Sequence, residues 1–436
     1  MVLQIVFQKY NGYIPVNKSS TIETVLLINP IASPAYLYEK FKKAGLFVLT
    51  CFTNKNIDYL IQPIIKNNLF DEILFLTKQF TDDQQSIRTI INSKQLNIQL
   101  AIAGSEYDLP YAEQIAHCFC SDYTNNPATA IWRCNKRLMN ERLQANATYA
   151  AQQIPITDSQ DVDYNQFLFP VVVKPAEGSG ASMGVAICNT PQEVSTYFDA
   201  LHTQKWAHCY VPNEFLMEEL LVGDEYIIDM VAWNGVFHLV GIYYAQKELF
   251  GSHKICRHRE FLNHENPIAQ ELFDYCSQVL HNLDVRYGMM HLECMYTKNG
   301  PVLIELNPRV SGVSGTLNYF AEAMIGYDQA SLLIQLLKTN GQHVPKPPAI
   351  KKHGVVFYLQ NFGFTYNQIN EGLFRDVPSY LWHLVKIPKQ TMPSYPSNLL
   401  DTVAFVILVN DSEEQLRTDL AALKALETEG KFFESE

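Results

Sequence analysis

Between residues 24 and 103, short apolar runs alternate with stretches whose apolar positions recur every three or four residues. Period two marks strands and period 3.6 marks helices. The pattern predicts strands at 24–28, 46–52, 72–76 and 98–103. It predicts helices at 34–44, stopped by Gly45, at 57–67 and at 82–93. Such alternation implies a parallel α/β sheet with helices on both faces, whose ligands bind beyond the carboxyl ends of the strands. No G-x-G-x-x-G follows the first strand, so a dinucleotide is not expected. Ahead of this region, 3–7 reads as a strand and Asn11-Gly12 as a turn.

Past Asn125-Asn126-Pro127, which reads as a boundary, the pattern changes. A helix is predicted over 130–150, carrying Asn135-Lys136-Arg137 near its start. A strand over 169–175 contains Lys174, a small-residue loop follows through Gly184, and 185–187 is a further strand. The run from Phe215 reaches Glu218-Glu219 and turns at Gly223-Asp224. A hairpin is then predicted from 227–232 and 236–242, across Asn234-Gly235. Residues 246–260 read as irregular and basic, 268–283 as an amphipathic helix and 316–338 as one helix. After a proline-rich break at 345–348 come strands at 354–359, 377–380 and 403–409, and a helix at 411–426 that Ser412 starts. The expected organisation is an N-terminal α/β domain (1–125), a helix plus lid with a phosphate loop (126–205), a catalytic core (206–345) and a small α+β C-terminal part (346–436).

Composition narrows the function. A chain of 436 residues exceeds one ordinary core. Its formal net charge of −12 argues against a general nucleic-acid or anionic-membrane surface, so a phosphate site must be local. No apolar run approaches a membrane span, and the first residues lack the pattern of a signal peptide. The nine cysteines show no framework spacing, which fits a reducing cytoplasm, and Cys118 and Cys120 read as free thiols on a helix.

The candidate chemistry centres on residues 288–315. Two apolar runs flank Lys298-Asn299-Gly300, a hairpin signal. His291, Glu293 and Met295 should share one face of the first strand, and Leu303, Glu305, Asn307 and Arg309 one face of the second. Two carboxylates and an amide oxygen suit a hard cation such as magnesium, shared with substrate phosphates. Arg309 could hold an anion beside it. Upstream, Lys174 adjoins Glu177-Gly178-Ser179-Gly180-Ala181-Ser182, where small residues let backbone N–H groups approach phosphate oxygens. Glu218, Glu219 and Glu225 are placed to accept from an amino group or from ribose hydroxyls. A lysine such as Lys136 serves as readily on a solvated helix face, and the basic run 246–260 covers an anion or is simply solvated.

In their order and spacing these pieces resemble the ATP-grasp superfamily over about residues 125–340, and within it most the L-amino-acid ligases. The resemblance implies an ATP-dependent ligase that joins two amino acids through an acyl-phosphate. It implies that Lys136 and Lys174 contact nucleotide phosphates, under a closing loop from Glu177 to Gly184. Glu218 would sit at the adenine amino edge, the backbone from Glu219 to Leu221 would read the ring, and Val172 and Ile304 would line its slot. Glu225 would bind ribose. Glu293, Glu305 and Asn307 would hold Mg2+, or Mn2+ in its place. Arg309 would stabilise the acyl-phosphate, and His291 would face the substrate. A homodimer is a family-level expectation. Residues 246–260 match no pattern of that family, which leaves the amino acids undetermined. The alternatives are a ligase for a purine-pathway or natural-product carboxylate, and a nucleotide-binding regulator.

Overall fold

The computed structural model describes residues 21–53, 64–157, 162–178, 183–201, 212–250, 253–346 and 349–435. Strands β1 (Ile22–Ile28), β2 (Phe47–Phe52), β3 (Glu72–Phe75) and β4 (Leu96–Ala103) form a parallel sheet in the order β3-β2-β1-β4. Helices α1 (Pro34–Lys43), α2 (Phe80–Lys94) and α3 (Leu109–Phe119) accompany it. The continuous apolar run Val25–Ile28 is fully buried because both faces of a parallel sheet are covered. The expected strands and the first and last helices are all present. The expected strand at 3–7 and turn at Asn11-Gly12, and most of the expected helix at 57–67, lie outside the described residues. Cys118 and Cys120 are free and half-buried, at the end of α3.

The second region is shorter in helix than expected. Residues Pro127–Arg133 form a 3-10 turn, and α4 runs only over Lys136–Ala145. Asn135 causes the break: its side chain accepts from Leu138 N at 3.0 Å and caps a new helix there. A four-stranded sheet follows, ordered β5-β8-β6-β7, from β5 (Gln153–Ile156), β6 (Val171–Pro175), β7 (Ala186–Cys188) and β8 (Phe215–Glu219). Helix α5 (Pro191–Leu201) covers it through Val194, Phe198 and Leu201.

An eight-stranded sheet organises the rest, in the order β13-β12-β9-β10-β11-β14-β17-β16. Its strands are β9 (Gly223–Trp233), β10 (Val236–Phe250), β11 (His253–Phe261), β12 (Gly288–Thr297), β13 (Gly300–Asn307), β14 (His353–Leu359), β16 (Tyr380–Val385) and β17 (Ala404–Asn410). A two-residue β15 (Gln368–Ile369) pairs β18 (Phe433–Glu434) beside it. Helix α6 (Pro267–Asn282) packs on one face over Ile228, Met230, Leu292 and Cys294. The other face carries Ile227, Val231, Tyr243 and Tyr358, which meet α7 (Thr316–Ile325), α8 (Gln329–Thr339) and, through Tyr36 and Leu37 of α1, the N-terminal region.

Four expectations change. Residues 246–250 and 253–260 are not irregular: they are the paired ends of β10 and β11, with Arg257, His258 and Arg259 buried. Charge made that stretch look like a solvated loop, whereas buried partners let it stay in the sheet. The helix expected over 316–338 is two helices, because Gly326 adopts φ +82° and Asp328 caps the second. Residues 377–379 turn, and the strand begins at Tyr380. The C-terminal strands β14, β17 and β16 do not build a sheet of their own; β14 pairs with β11 and extends the large one. Helix α9 (Gly372–Arg375) and α10 (Glu413–Thr428) complete this part, α10 starting at its Ser412 cap.

Candidate active site

The hairpin of β12 and β13 forms as its Asn-Gly turn requires, with Gly300 at φ +100°. Cross-strand partners are His291 with Asn307 and Glu293 with Glu305. Between Glu293 and Cys294 the register shifts, so that Cys294 faces Leu303 and Ile304 is the extra residue. This bulge corrects the simple alternation. Leu303 turns into the core under α6 with Cys294, and Glu305 and Asn307 stay with Glu293 on the opposite face.

Period two carries that face across the sheet. Asp229 pairs His291, and Glu225 pairs Met295, so these two acids of β9 point the same way. Lys247 Nζ on β10 reaches Glu225 Oε2 at 2.6 Å. A second bulge, at Arg257, separates the pairs Gln246–His258 and Lys247–Cys256. It sends Arg257 to the buried Glu427 of α10 and leaves Arg259 on the face of Lys247. Arg259 lies 5.6 Å from the ring centre of Tyr358, and among the described residues it forms no ion pair.

Each charge is set by its neighbours. Burial works against Glu293 as an anion, but His291, Arg259 and Lys247 hold it at about 2. Burial, then Glu293 and Glu106, push Glu305 up, against the pull of Lys136 at 3.4 Å. His291 is lowered by burial and raised more by Asp229, whose Oδ1 lies 2.7 Å from Nδ1. Asp229 Oδ2 accepts from Ser311 Oγ at 2.8 Å, so the imidazole is clamped from behind. His291 Nε2 is 3.7 Å from Glu293 Oε1. Arg309 Nε donates to Glu106 Oε2 at 2.6 Å, and its Nη2 to Asn307 Oδ1 at 3.2 Å. Glu106 comes from the loop after β4, at the carboxyl end of the parallel sheet. Burial would raise its pKa, and Arg309 outweighs that and holds it low.

Beside this face, between α4, β5, β6, β8 and β13, a cleft is lined by Lys136, Met139, Leu143, Gln153, Lys174, Glu218 and Ile304 among others. Lys174 Nζ and Glu218 Oε1 are paired at 2.7 Å, both buried. Lys136 N donates to Ala176 O at 2.8 Å, and Asn135 Nδ2 to Glu177 Oε1 at 2.6 Å, so the α4 start is tied to the strand before the loop. Gly178 has φ +67°, a conformation that glycine supplies at no steric cost. Ser179, Gly180, Ala181 and Ser182 lie outside the described residues. Val172, Glu219 and Leu221 are not among the residues lining the cleft. The Glu219 amide is already bonded to Gln152 O at 3.0 Å and its Oε1 accepts from Gln152 N.

The donor set suits a hard divalent cation. Glu293 and Glu305 oppose each other across paired strands and repel, with the Asn307 amide oxygen beside them. Among the described residues no trio of His, Cys, Asp or Glu is arranged as a metal site, so a cation here depends on oxygen ligands from substrate as well.

Sequence reasoning brought together Lys136, Lys174, Glu218 and Ile304 in the cleft, and His291, Glu293, Glu305, Asn307 and Arg309 on the hairpin. It missed Glu106, Asp229 and Gln153, and placed Lys247 and Arg259 only in a basic run that covers an anion or is solvated. Asp229 could have been found: it lies on the alternation Glu225, Ile227, Asp229 of a strand already recognised. Glu106 is brought 203 positions through space to Arg309, which no local pattern encodes.

Residues 167–317 match the ATP-grasp domain family. The chain is 26% identical over 320 residues to dapdiamide A synthase of Enterobacter agglomerans, covering 72% of this chain and 73% of that protein. Among solved structures, the L-amino acid ligase of Bacillus licheniformis superposes with a TM-score of 0.73 at 15% identity, covering 93% of this chain and 97% of that one. The N5-carboxyaminoimidazole synthase of Aspergillus clavatus, in complex with ADP and 5-aminoimidazole ribonucleotide, gives 0.66 at 13% identity, covering 93% and 99%. The chain therefore has the ATP-grasp fold and resembles ATP-grasp carboxylate–amine ligases, the L-amino-acid ligases among them.

Proposed function

We propose that this ATP-grasp protein is an ATP-dependent carboxylate–amine ligase that joins two amino acids through an acyl-phosphate. The observation that carries the reading is the adjoining of two constellations: Lys136 of the nucleotide cleft touches Glu305 of the hairpin. A base bound in the cleft thus places its phosphates at the two acids, with Arg309 and Glu106 just beyond. Dapdiamide A synthase supports amide-bond formation as the class of reaction.

The chain's own groups suit each step. Phosphoryl transfer needs alignment and charge neutralisation more than covalent help. Lys136 and Lys174 neutralise phosphate oxygens, and Arg259 and Lys247 keep the far side of the site positive. Glu293, Glu305 and Asn307 would hold Mg2+, which when bound neutralises charge on the phosphates. One substrate carboxylate attacks the γ-phosphorus, and the bond to the β-γ bridging oxygen breaks, giving ADP and an acyl-phosphate. The amine of the second amino acid then attacks the acyl carbon, losing a proton to the medium, and phosphate leaves with the bonding pair. Arg309, held by Glu106 and Asn307, lies where the oxyanion of that second step develops. Asp229 fixes His291 beside Glu293, so the imidazole orients the carboxylate. Water must be kept from the acyl-phosphate, a role for the loop between Glu177 and Gly184.

The test is phosphate release measured over pairs of amino acids, with products identified by mass. A dipeptide formed in step with ADP is expected. Cleavage stimulated only by an aminoimidazole ribonucleotide would assign the chain to purine chemistry. ATP binding without cleavage under any pair would make it a nucleotide-binding regulator.

A further inference from the structure

Gln153 stands on β5 as the cross-strand partner of Glu218, and both side chains line the cleft. Its amide nitrogen Nε2 donates to two backbone carbonyls in the first turn of α4, Lys136 O at 3.1 Å and Arg137 O at 3.3 Å. A carbonyl oxygen only accepts, so these bonds settle which end of the amide is nitrogen. The amide nitrogen is thereby committed to α4. The oxygen Oε1 is left buried and, among the described residues, without a hydrogen-bond partner. A buried acceptor that is never satisfied is costly, and native structures rarely keep one without a reason. Other polar groups of the cleft are engaged: Lys174 with Glu218, and Lys136 with Glu305.

We infer that Gln153 is the residue that selects the base: its Oε1 accepts a hydrogen bond from the exocyclic 6-amino group of adenine and rejects purines with a 6-oxo group. This rests on the reading of the cleft as the nucleotide site. A 6-amino group has two hydrogens, so it can serve Gln153 Oε1 and a second acceptor at the Glu218 edge together. A 6-oxo purine brings an acceptor against an acceptor and leaves both unpaired. Because α4 pins the amide, the side chain cannot flip to offer its NH2 to that oxygen without breaking two bonds. The same contact couples base recognition to Lys136, whose carbonyl is one of the two that hold Gln153.

Inosine triphosphate is the probe, since it differs from ATP at the 6-position without adding a 2-amino group. Nucleotide Kd and kcat/KM for phosphate release are measured with ATP, ITP and purine riboside triphosphate. The wild-type protein is expected to favour ATP over both by about 10- to 100-fold, the span of one or two buried hydrogen bonds. Gln153→Met keeps the length and removes both ends of the amide. It should weaken ATP by that factor, leave purine riboside triphosphate nearly unchanged and relieve the clash with ITP, so that the ATP-to-ITP ratio collapses towards one. Gln153→Glu keeps an acceptor and loses the donors to α4. It should retain a preference for ATP over ITP at lower overall affinity. A merely structural glutamine would weaken all three nucleotides equally, and an unchanged ATP-to-ITP ratio in Gln153→Met, or a wild-type protein indifferent to the 6-position, would overturn the inference. A wild-type protein that binds none of the three would instead sink the nucleotide reading of the cleft, which separates the two failures.

Discussion

At the scale of single residues, Arg309 and Glu305 are the most exposed to test. Arg309 is half-buried between Glu106 and Asn307, and Glu305 is held near Lys136. Arg309→Ala and Glu305→Ala should each lower amino-acid-dependent ADP release by about 100-fold or more, as loss of a preorganised charge does. Wild-type turnover in either variant would refute the assigned roles. His264 offers a stability test away from the site. Burial pushes it down to about 4, and among the described residues its Nε2 has no hydrogen-bond partner. A histidine depressed in the folded state adds stability that is complete above the unfolded value of about 6.5 and is lost as pH falls towards the folded one. Thermal unfolding of the wild-type protein should therefore lose on the order of 2 kcal/mol between pH 6.5 and 4. His264→Leu should flatten that loss, and equal slopes in the two proteins would refute it.

At the scale of elements, the site is made by departures from regularity. Two one-residue bulges, at Ile304 and Arg257, decide which side chains of β13 and β11 share the face of Glu293. Without the first, Leu303 would share the face of Glu305. Without the second, Arg257 would stand in phase with Arg259 and lose Glu427. The start of α4 is another such device. Asn135 caps the helix with its oxygen and reaches Glu177 with its nitrogen, joining the helix that carries Lys136 to the strand before the loop. Asn135→Ala should cost about 1 kcal/mol of stability, the usual worth of a cap. It should also raise KM for ATP several-fold with a smaller change in kcat, because the lysine and the loop lose their common anchor. Steady-state kinetics over ATP concentration read this directly, and an unaltered KM would mean that the tie is structural only.

At the scale of the whole molecule, the eight-stranded sheet binds distant parts of the chain together. Ser33 Oγ at the start of α1 donates to Ser311 O at 2.8 Å, and Lys40 pairs with Glu322 at 2.7 Å and with the buried Asp328. The N-terminal region thus grips the segment that follows Arg309 and supplies Glu106 to it. At the other end, β14 closes the edge of β11. A chain ending at residue 345 would bare that edge together with the apolar face that Tyr358, Phe405 and Ile407 cover. Such a truncation should yield no soluble, cooperatively unfolding protein. A folded monomer of this fragment, judged by circular dichroism and thermal melting, would show that the C-terminal strands are dispensable.

The sequence by itself determined the parallel sheet, the hairpin turns, the Ser412 cap and the identity of the acids on β12 and β13. All of these are written in local spacing: period two, period 3.6 and residues that accept a positive φ. It determined which residues carry charge and which of them share a strand face. Only the tertiary structure decided who answers whom. Glu106 meets Arg309 across 203 positions, Asp229 fixes His291 across 62, and Gln153 is pinned to α4 through carbonyls that carry no sequence signal. The basic run at 246–260 shows why. Charge alone made it look solvated, whereas in the fold Lys247 finds Glu225, Arg257 finds Glu427, and Arg259 is buried against Tyr358. A buried charge is tolerated by partners that the chain brings from elsewhere, so its place becomes legible only when the sheet is closed.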